Sequence, residues 1–152
     1  QREATMKLVD AAETVAVVVA ASLDAESPDR LVALGLQREI ATRGAGHPYR
    51  RAVLMSDQAW FETPLFHTAP TIAVGGPGVN GVSARFGQEL PTVWTADDRS
   101  LIQAEFRESV PRVTLWGMDA AATAAAVDAF IARGWLDEFL DRCWRFRAGT
   151  FA

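Results

Sequence analysis

The sequence predicts a three-layer α/β domain, a mostly parallel sheet with helices on both faces and an antiparallel hairpin added to it. Three observations carry this. Short β-branched runs, above all Thr14 to Ser22 (TVAVVVAAS), lack the alternation of a half-exposed strand and suit strands buried on both faces. Stretches of helical period separate these runs, and strands that alternate with helices imply crossover units. Only late in the chain do two strand patterns follow each other across a tight turn, which gives the hairpin.

Each element has a local reason. Residues 2 to 13 read as a short helix, with Thr5, Leu8, Val9 and Ala12 on one face. The strand at 14–22 follows. Ser27 is the expected N-cap of the next helix, with Pro28 at its first position, Val32, Leu36 and Ile40 as its apolar stripe, and Gly44 and Gly46 as its end. Arg51 to Ser56 is the second strand. Residues 58 to 70, with Trp60, Phe61, Phe66 and His67 between prolines at 64 and 70, read as an irregular or partly helical connection. Thr71 to Val74 is the third strand. It runs into Gly75-Gly76-Pro77-Gly78-Val79-Asn80-Gly81, and a helix follows from Val82 to about Glu89, stopped by Pro91.

Thr92 to Thr95 and Leu101 to Phe106 form the hairpin around Asp97-Asp98-Arg99-Ser100, the second strand alternating as if half-buried. Arg112 to Trp116 is the last strand. Asp119 is the expected N-cap of an alanine-rich helix over 120–133, which Gly134 breaks. A final helix over 135–146 carries Leu136, Phe139, Leu140, Cys143 and Trp144 on one stripe. Without repeats, low-complexity tracts or linkers, residues 1–152 read as one domain.

Composition narrows the function classes. A hydrophobic fraction of 49% and a charged fraction of 22% are those of a globular domain able to bury a core. The net charge of -4 argues against nucleic acid or an anionic membrane surface as the main partner, since both are bound by clustered Lys and Arg. Arg50 with Arg51, and Arg142, Arg145 and Arg147, read as solvated arginines. Lys7 is the only lysine and alanine is abundant, a bias typical of GC-rich bacterial genomes. Cys143 is the single cysteine, so no internal disulfide forms and a reducing, cytoplasmic setting is the expectation. The longest apolar stretch, Val15 to Ala21, is too short to span a bilayer, and no signal peptide pattern is visible.

Chemistry in an open parallel sheet belongs outside the strand carboxyl ends. Three segments leave strands there: Ser56-Asp57, the loop 75–81, and Gly117-Met118-Asp119. The glycine loop precedes a helix N-terminus, where free amides attract anions. It has neither the dinucleotide-binding glycine spacing nor the Gly-Lys-Ser/Thr of a phosphate-binding P-loop. The candidate ligand-binding residues are Asp57, Trp60, Gly75, Gly76, Gly78, Asn80 and Asp119. The loop would hold an anion, Asp57 a hydroxyl, amine or metal, and Trp60 would stack on the ligand. Asp119 has the competing role of helix cap. His67 lies where it would face the same cleft as Asp57, while His47 precedes a proline in a turn. Neither histidine belongs to a metal-spacing motif, and no metal site or cofactor is indicated. Cys143 reads as inert packing, and no Gly-x-Ser-x-Gly nucleophile elbow is present.

Two stretches, Thr71 to Asn80 (TIAVGGPGVN) and Val113 to Phe130 (VTLWGMDAAATAAAVDAF), resemble small uncharacterised bacterial Rossmann-like α/β domains. In these a strand enters a Gly-Gly-Pro loop and a later strand ends in Gly-x-Asp before a helix. The Val-Gly-Gly loop is also similar to repeats of surface-layer and cell-wall-binding proteins, from which this chain departs in having no tandem copies. The resemblance implies a fold and brings no activity with it. The expected function is therefore binding of a small anionic ligand at the strand ends. The alternative is a non-catalytic assembly module, a homo-oligomer built through the C-terminal aromatics Trp135, Phe139, Trp144, Phe146 and Phe151, which serve equally as core cover or as interface.

Overall fold

The run of valines that the sequence offers as a two-sided strand is β1 (Val15–Val19), and each of its residues is fully buried. The computed structural model describes residues 13–21, 28–45, 47–106 and 110–150, with side chains as far as Trp144. The helix expected over 2–13, the Ser27 cap, Gly46, Phe151 and the side chain of Phe146 lie outside the described residues. Six strands form one sheet in the order β2-β1-β3-β6-β5-β4. β2 (Ala52–Ser56) and β3 (Thr71–Val74) flank β1 in parallel, and β3 pairs in parallel with β6 (Arg112–Gly117). β4 (Thr92–Ala96) and β5 (Ser100–Glu105) form the hairpin, and β5 is also antiparallel to β6.

β5 departs from the expected half-burial. Its polarity alternates, yet Ser100, Ile102, Gln103 and Ala104 are all buried. Gln103 is tolerated there because its amide is satisfied. Nε2 donates to the carbonyls of Gly87 (3.2 Å) and Leu90 (3.1 Å), and Oε1 accepts from the Thr114 hydroxyl (3.3 Å). A helix lying over this face has buried a residue whose type suggested water.

Both faces of the sheet are covered. On one, α1 (Pro28–Arg43), α4 (Ala120–Ala132) and α5 (Trp135–Thr150) pack Leu36, Ile40, Phe130 and Phe139 onto Val15, Val17 and Val19. On the other, α2 (Asp57–Glu62) and α3 (Gly81–Glu89) pack Trp60, Val82 and Phe86 onto Ala16 and Val18. A turn of 3-10 helix, Pro64–Thr68, links α2 to β3. The two-residue period of β1 thus divides the interior into two cores. The result is the three-layer α/β architecture the sequence predicts.

The stripe on α5 covers the larger core. Leu136, Phe139, Leu140, Cys143 and Trp144 are all buried, and Phe139 meets Phe130 and Phe106 edge-on. Trp144 fastens the helix to the start of β1. Its indole N–H donates to the Glu13 carbonyl (2.9 Å), its own carbonyl accepts from Arg50 Nη2 (3.0 Å), and the Arg50 guanidinium sits over its ring. Phe139 and Trp144, named above as candidate interface residues, are therefore interior residues. Burial also pushes the Cys143 thiol far above its usual value, so it carries no thiolate.

Gly117, at the end of β6, tests how tightly the turn into α4 is packed. A methyl group there would lie 2.3 Å from the Ala122 side chain and 2.4 Å from its carbonyl carbon. Relief requires the first turn of α4 to move. Gly117→Ala is expected to cost about 3 kcal/mol, at the upper end of overpacking effects, measured by urea unfolding of the purified chain.

Candidate functional site

Because β2, β1, β3 and β6 are parallel, their carboxyl ends share one edge of the sheet. Crevices are possible there wherever neighbouring strands send their connections to opposite faces, as β2 and β1, β1 and β3, and β3 and β6 do. β1 leads to α1 on one face and β3 to α3 on the other. β6, on the far side of β3, leads back to α4 on the first face.

The β1/β3 crevice is closed by the protein itself. Asn80 is fully buried, and its Nδ2 donates to the carbonyls of Val18 (3.1 Å) and Val74 (3.0 Å), the ends of β1 and β3. Its Oδ1 accepts the amides of Val82 (2.9 Å) and Ser83 (3.2 Å), which caps α3. Two donors and two acceptor sites are all an amide side chain has. Asn80 therefore has no capacity left for a ligand, which corrects its expected role.

Asp57 is similarly occupied. Oδ1 accepts the amides of Ala21 (2.9 Å) and Gln58 (2.8 Å), and Oδ2 accepts the Gly81 amide (2.7 Å). It ties the segment after β1 to the starts of α2 and α3. An open depression of about 460 Å³ lies beside it, lined by Ala21, Gln58, Phe61, Glu62 and Val79. The leading amides of α3 are thus taken up from within: Gly81 by Asp57, Val82 and Ser83 by the Asn80 side chain, and Ala84 by the Asn80 carbonyl.

Trp60 and His67 stand elsewhere. The helix begins at Asp57, so Trp60, one turn on, points into the smaller core. Its Nε1 donates to the Thr71 hydroxyl (3.2 Å) at the beginning of β3, and its ring packs edge-on against Phe61 and Phe86. His67 lies against that ring, with Nε2 2.9 Å from the Trp60 carbonyl. Both belong to the amino end of β3, not to a cleft with Asp57. His47 is exposed, and its Nδ1 accepts the Tyr49 amide.

The β3/β6 crevice is open. It forms a cleft of about 430 Å³. Gly76, Pro77, Gly78 and Val79 make one wall, the segment from Trp116 to Ala120 with Thr123 makes the other, and Pro28 and Asp29 close one end. Of the predicted residues it gathers Gly76, Gly78 and Asp119. Gly75 lies just behind, at φ +110°, a conformation suited to glycine. A side chain at Gly75 would begin 3.2 Å from Asp29 Oδ2, and one at Gly76 would begin 3.4 Å from the Trp116 ring. Asp119 both lines the cleft and caps α4, accepting the Ala122 amide (2.8 Å) and pairing with Arg99. The Ala122 bond first, and then Arg99, hold its carboxyl below the usual range.

Asp29 and Trp116 are the residues sequence reasoning passes over. Asp29 reads as an acid complementing the dipole of α1, and Trp116 as the end of a buried strand. Yet Asp29 Oδ1 is buried without a hydrogen-bond partner among the described residues, and burial raises the carboxyl above its ordinary value. Among the described residues, no three His, Cys, Asp or Glu converge as a metal set, and no helix is long and apolar enough to cross a membrane.

The Asn80 geometry makes a sharp prediction. Asn80→Ala removes a cap, worth about 1 kcal/mol, and two buried hydrogen bonds to strand carbonyls, worth about 1 kcal/mol each. A loss of roughly 3 kcal/mol in chemical denaturation is expected. Asn80→Asp keeps the cap but sets an acceptor against the Val18 and Val74 carbonyls. Its buried carboxyl has a raised pKa, so its stability is fullest below the unfolded carboxylate pKa and is lost as pH rises through the folded one. Asn80→Asp should therefore narrow its deficit in acid, and a pH-independent deficit would contradict the assigned bonds.

The chain matches no protein-family model, and no curated protein is significantly similar to it.

Proposed function

We propose that this chain binds a small polar ligand across the carboxyl ends of β3 and β6, between the glycine loop and the start of α4. The observation that carries the reading is Asp29. Other acids and amides at this edge have protein partners: Asn80 and Asp57 hold backbone groups, and Asp119 holds Ala122 and Arg99. Asp29 lines the cleft, and one of its carboxylate oxygens is buried without a hydrogen-bond partner among the described residues. An unsatisfied buried acceptor costs about 1–3 kcal/mol, more than the 0.3–1 kcal/mol that an acid contributes to a helix N-terminus. A group that weakens the empty protein but faces a cleft is the pattern of a binding residue.

That balance predicts the sign of a mutational effect. Asn can donate from its amide and carries no desolvated charge, so Asp29→Asn should stabilise the ligand-free chain by about 0.5–2 kcal/mol at neutral pH. A carboxyl with a raised folded pKa favours folding below its unfolded value of 3.8 and loses that contribution as pH rises through the folded one. The advantage of Asn should accordingly grow from acid to neutral pH. An acid that serves only the helix dipole would give the opposite sign in the same denaturation experiment.

Binding itself is tested by thermal shift against a panel of nucleosides, sugars, amines, phosphates and divalent metals. A ligand at about 100 times its Kd adds about 2.7 kcal/mol, which at this size raises Tm by roughly 5–10 °C. Gly76→Val, whose side chain would grow toward Trp116, should abolish the shift while the fold persists. A shift that survives Gly76→Val would place the ligand elsewhere, and a silent panel would count against binding.

A further inference from the structure

The ligand-binding reading leaves the chemical class of the ligand open, and the cleft itself narrows it. The glycine loop suggests an anion, but its geometry argues otherwise. The leading amides of α3 are bonded to Asn80 and Asp57 and present nothing to a phosphate or carboxylate. Among the described residues, the charged side chains that line the cleft are Asp29 and Asp119, with no Arg or Lys beside them. Arg99, the cation beside it, is paired with Asp119. An anion here would be desolvated next to like charge.

What the cleft presents instead is an acceptor and a ring. Asp29 lines the cleft, its Oδ1 lacks a donor among the described residues, and a carboxylate takes an N–H, an ammonium or a pair of hydroxyls. The Trp116 ring is partly exposed and lies beside Gly76, where the absence of a side chain leaves the ring uncovered. Val79 and Met118 are more than half exposed and add apolar contact at the mouth. The volume of about 430 Å³ falls within the range of small-molecule sites, about 300–1,000 Å³, and suits a ligand of nucleoside size.

Resting on the ligand-binding reading, we infer that the cleft takes an uncharged or cationic ring compound of nucleoside size, stacked on Trp116 and donating a hydrogen bond to Asp29. The class excludes the phosphorylated form of the same compound as the preferred ligand.

The test is an amide-resolved NMR titration of the full chain with adenosine and cytidine, with their monophosphates, and with inorganic phosphate. Nucleosides are expected to move the Gly76 and Gly78 amide signals and the Trp116 indole signal. Asp29→Asn should weaken that binding by about tenfold or more, the scale of a lost charge-assisted hydrogen bond, and Trp116→Ala should do likewise. Because Asp29→Asn is expected to be the more stable protein, loss of binding there is not loss of fold. Monophosphates or phosphate binding the cleft more tightly than nucleosides would overturn the ligand class and leave the cleft standing as a site. Equal nucleoside affinity in wild type and Asp29→Asn would overturn the role of Asp29. Silence of the cleft toward nucleosides would overturn the inference, whereas binding in the cleft as such falls only if the wider thermal-shift panel is silent too.

Discussion

One buried amide sets the geometry of the functional edge. At the carboxyl ends of β1 and β3 two strand carbonyls face a crevice, and the chain must begin α3 beside it. The Asn80 side chain meets both demands, donating to Val18 and Val74 and accepting from Val82 and Ser83. A buried group with every valence engaged tolerates little displacement, since any shift leaves a carbonyl or an amide unpaired. The start of α3 is thereby fixed to the sheet. Asp57 extends the constraint sideways by binding Gly81, Gln58 and Ala21, so that the segment after β1 and two helix N-termini move as one unit.

The consequence is that the open crevice is displaced. In an open parallel sheet a crevice between diverging connections is the usual ligand position, and here the protein fills the one between β1 and β3 with its own amide. The next crevice, between β3 and β6, diverges in the same manner and is left open. Its walls are the glycine loop and the tight turn at Gly117, whose amide donates to the Thr123 hydroxyl. Rigidity on one side of β3 and room on the other both follow from how four consecutive strands distribute their connections between the two faces.

The parts of this structure legible in the sequence are those decided locally. The valine run, the proline that opens α1, Asp119 as a cap and the hairpin turn depend on backbone preference and neighbours a few residues away. The illegible parts depend on tertiary partners. Gln103 is polar and buried because α3 happens to present two carbonyls to it. Trp60 points inward because a helix begins at Asp57, a shift of phase that an expected irregular loop would not impose. The aromatic stripe of α5 could be recognised as apolar, but only packing shows that Phe139 and Trp144 lie inside. Within the candidate site the glycine loop was visible, whereas Asp29 was not, because the absence of a partner has no sequence signature.

Residue type alone therefore misleads at this edge. Asp57, Asn80, Asp119 and Asp29 are all short polar residues near strand carboxyl ends and helix starts, and any of them can be a cap or a ligand group. Counting hydrogen-bond capacity separates them. Asn80 is saturated, Asp57 holds three amides, and Asp119 divides its oxygens between Ala122 and Arg99. Asp29 alone of the four leaves a buried oxygen unmet. A cleft lined by two carboxylates, one of them with a buried oxygen unmet among the described residues, is complementary to a donor. On the proposed reading the polarity of the ligand follows from which valence is left unfilled, and the glycines contribute access to the cleft more than charge.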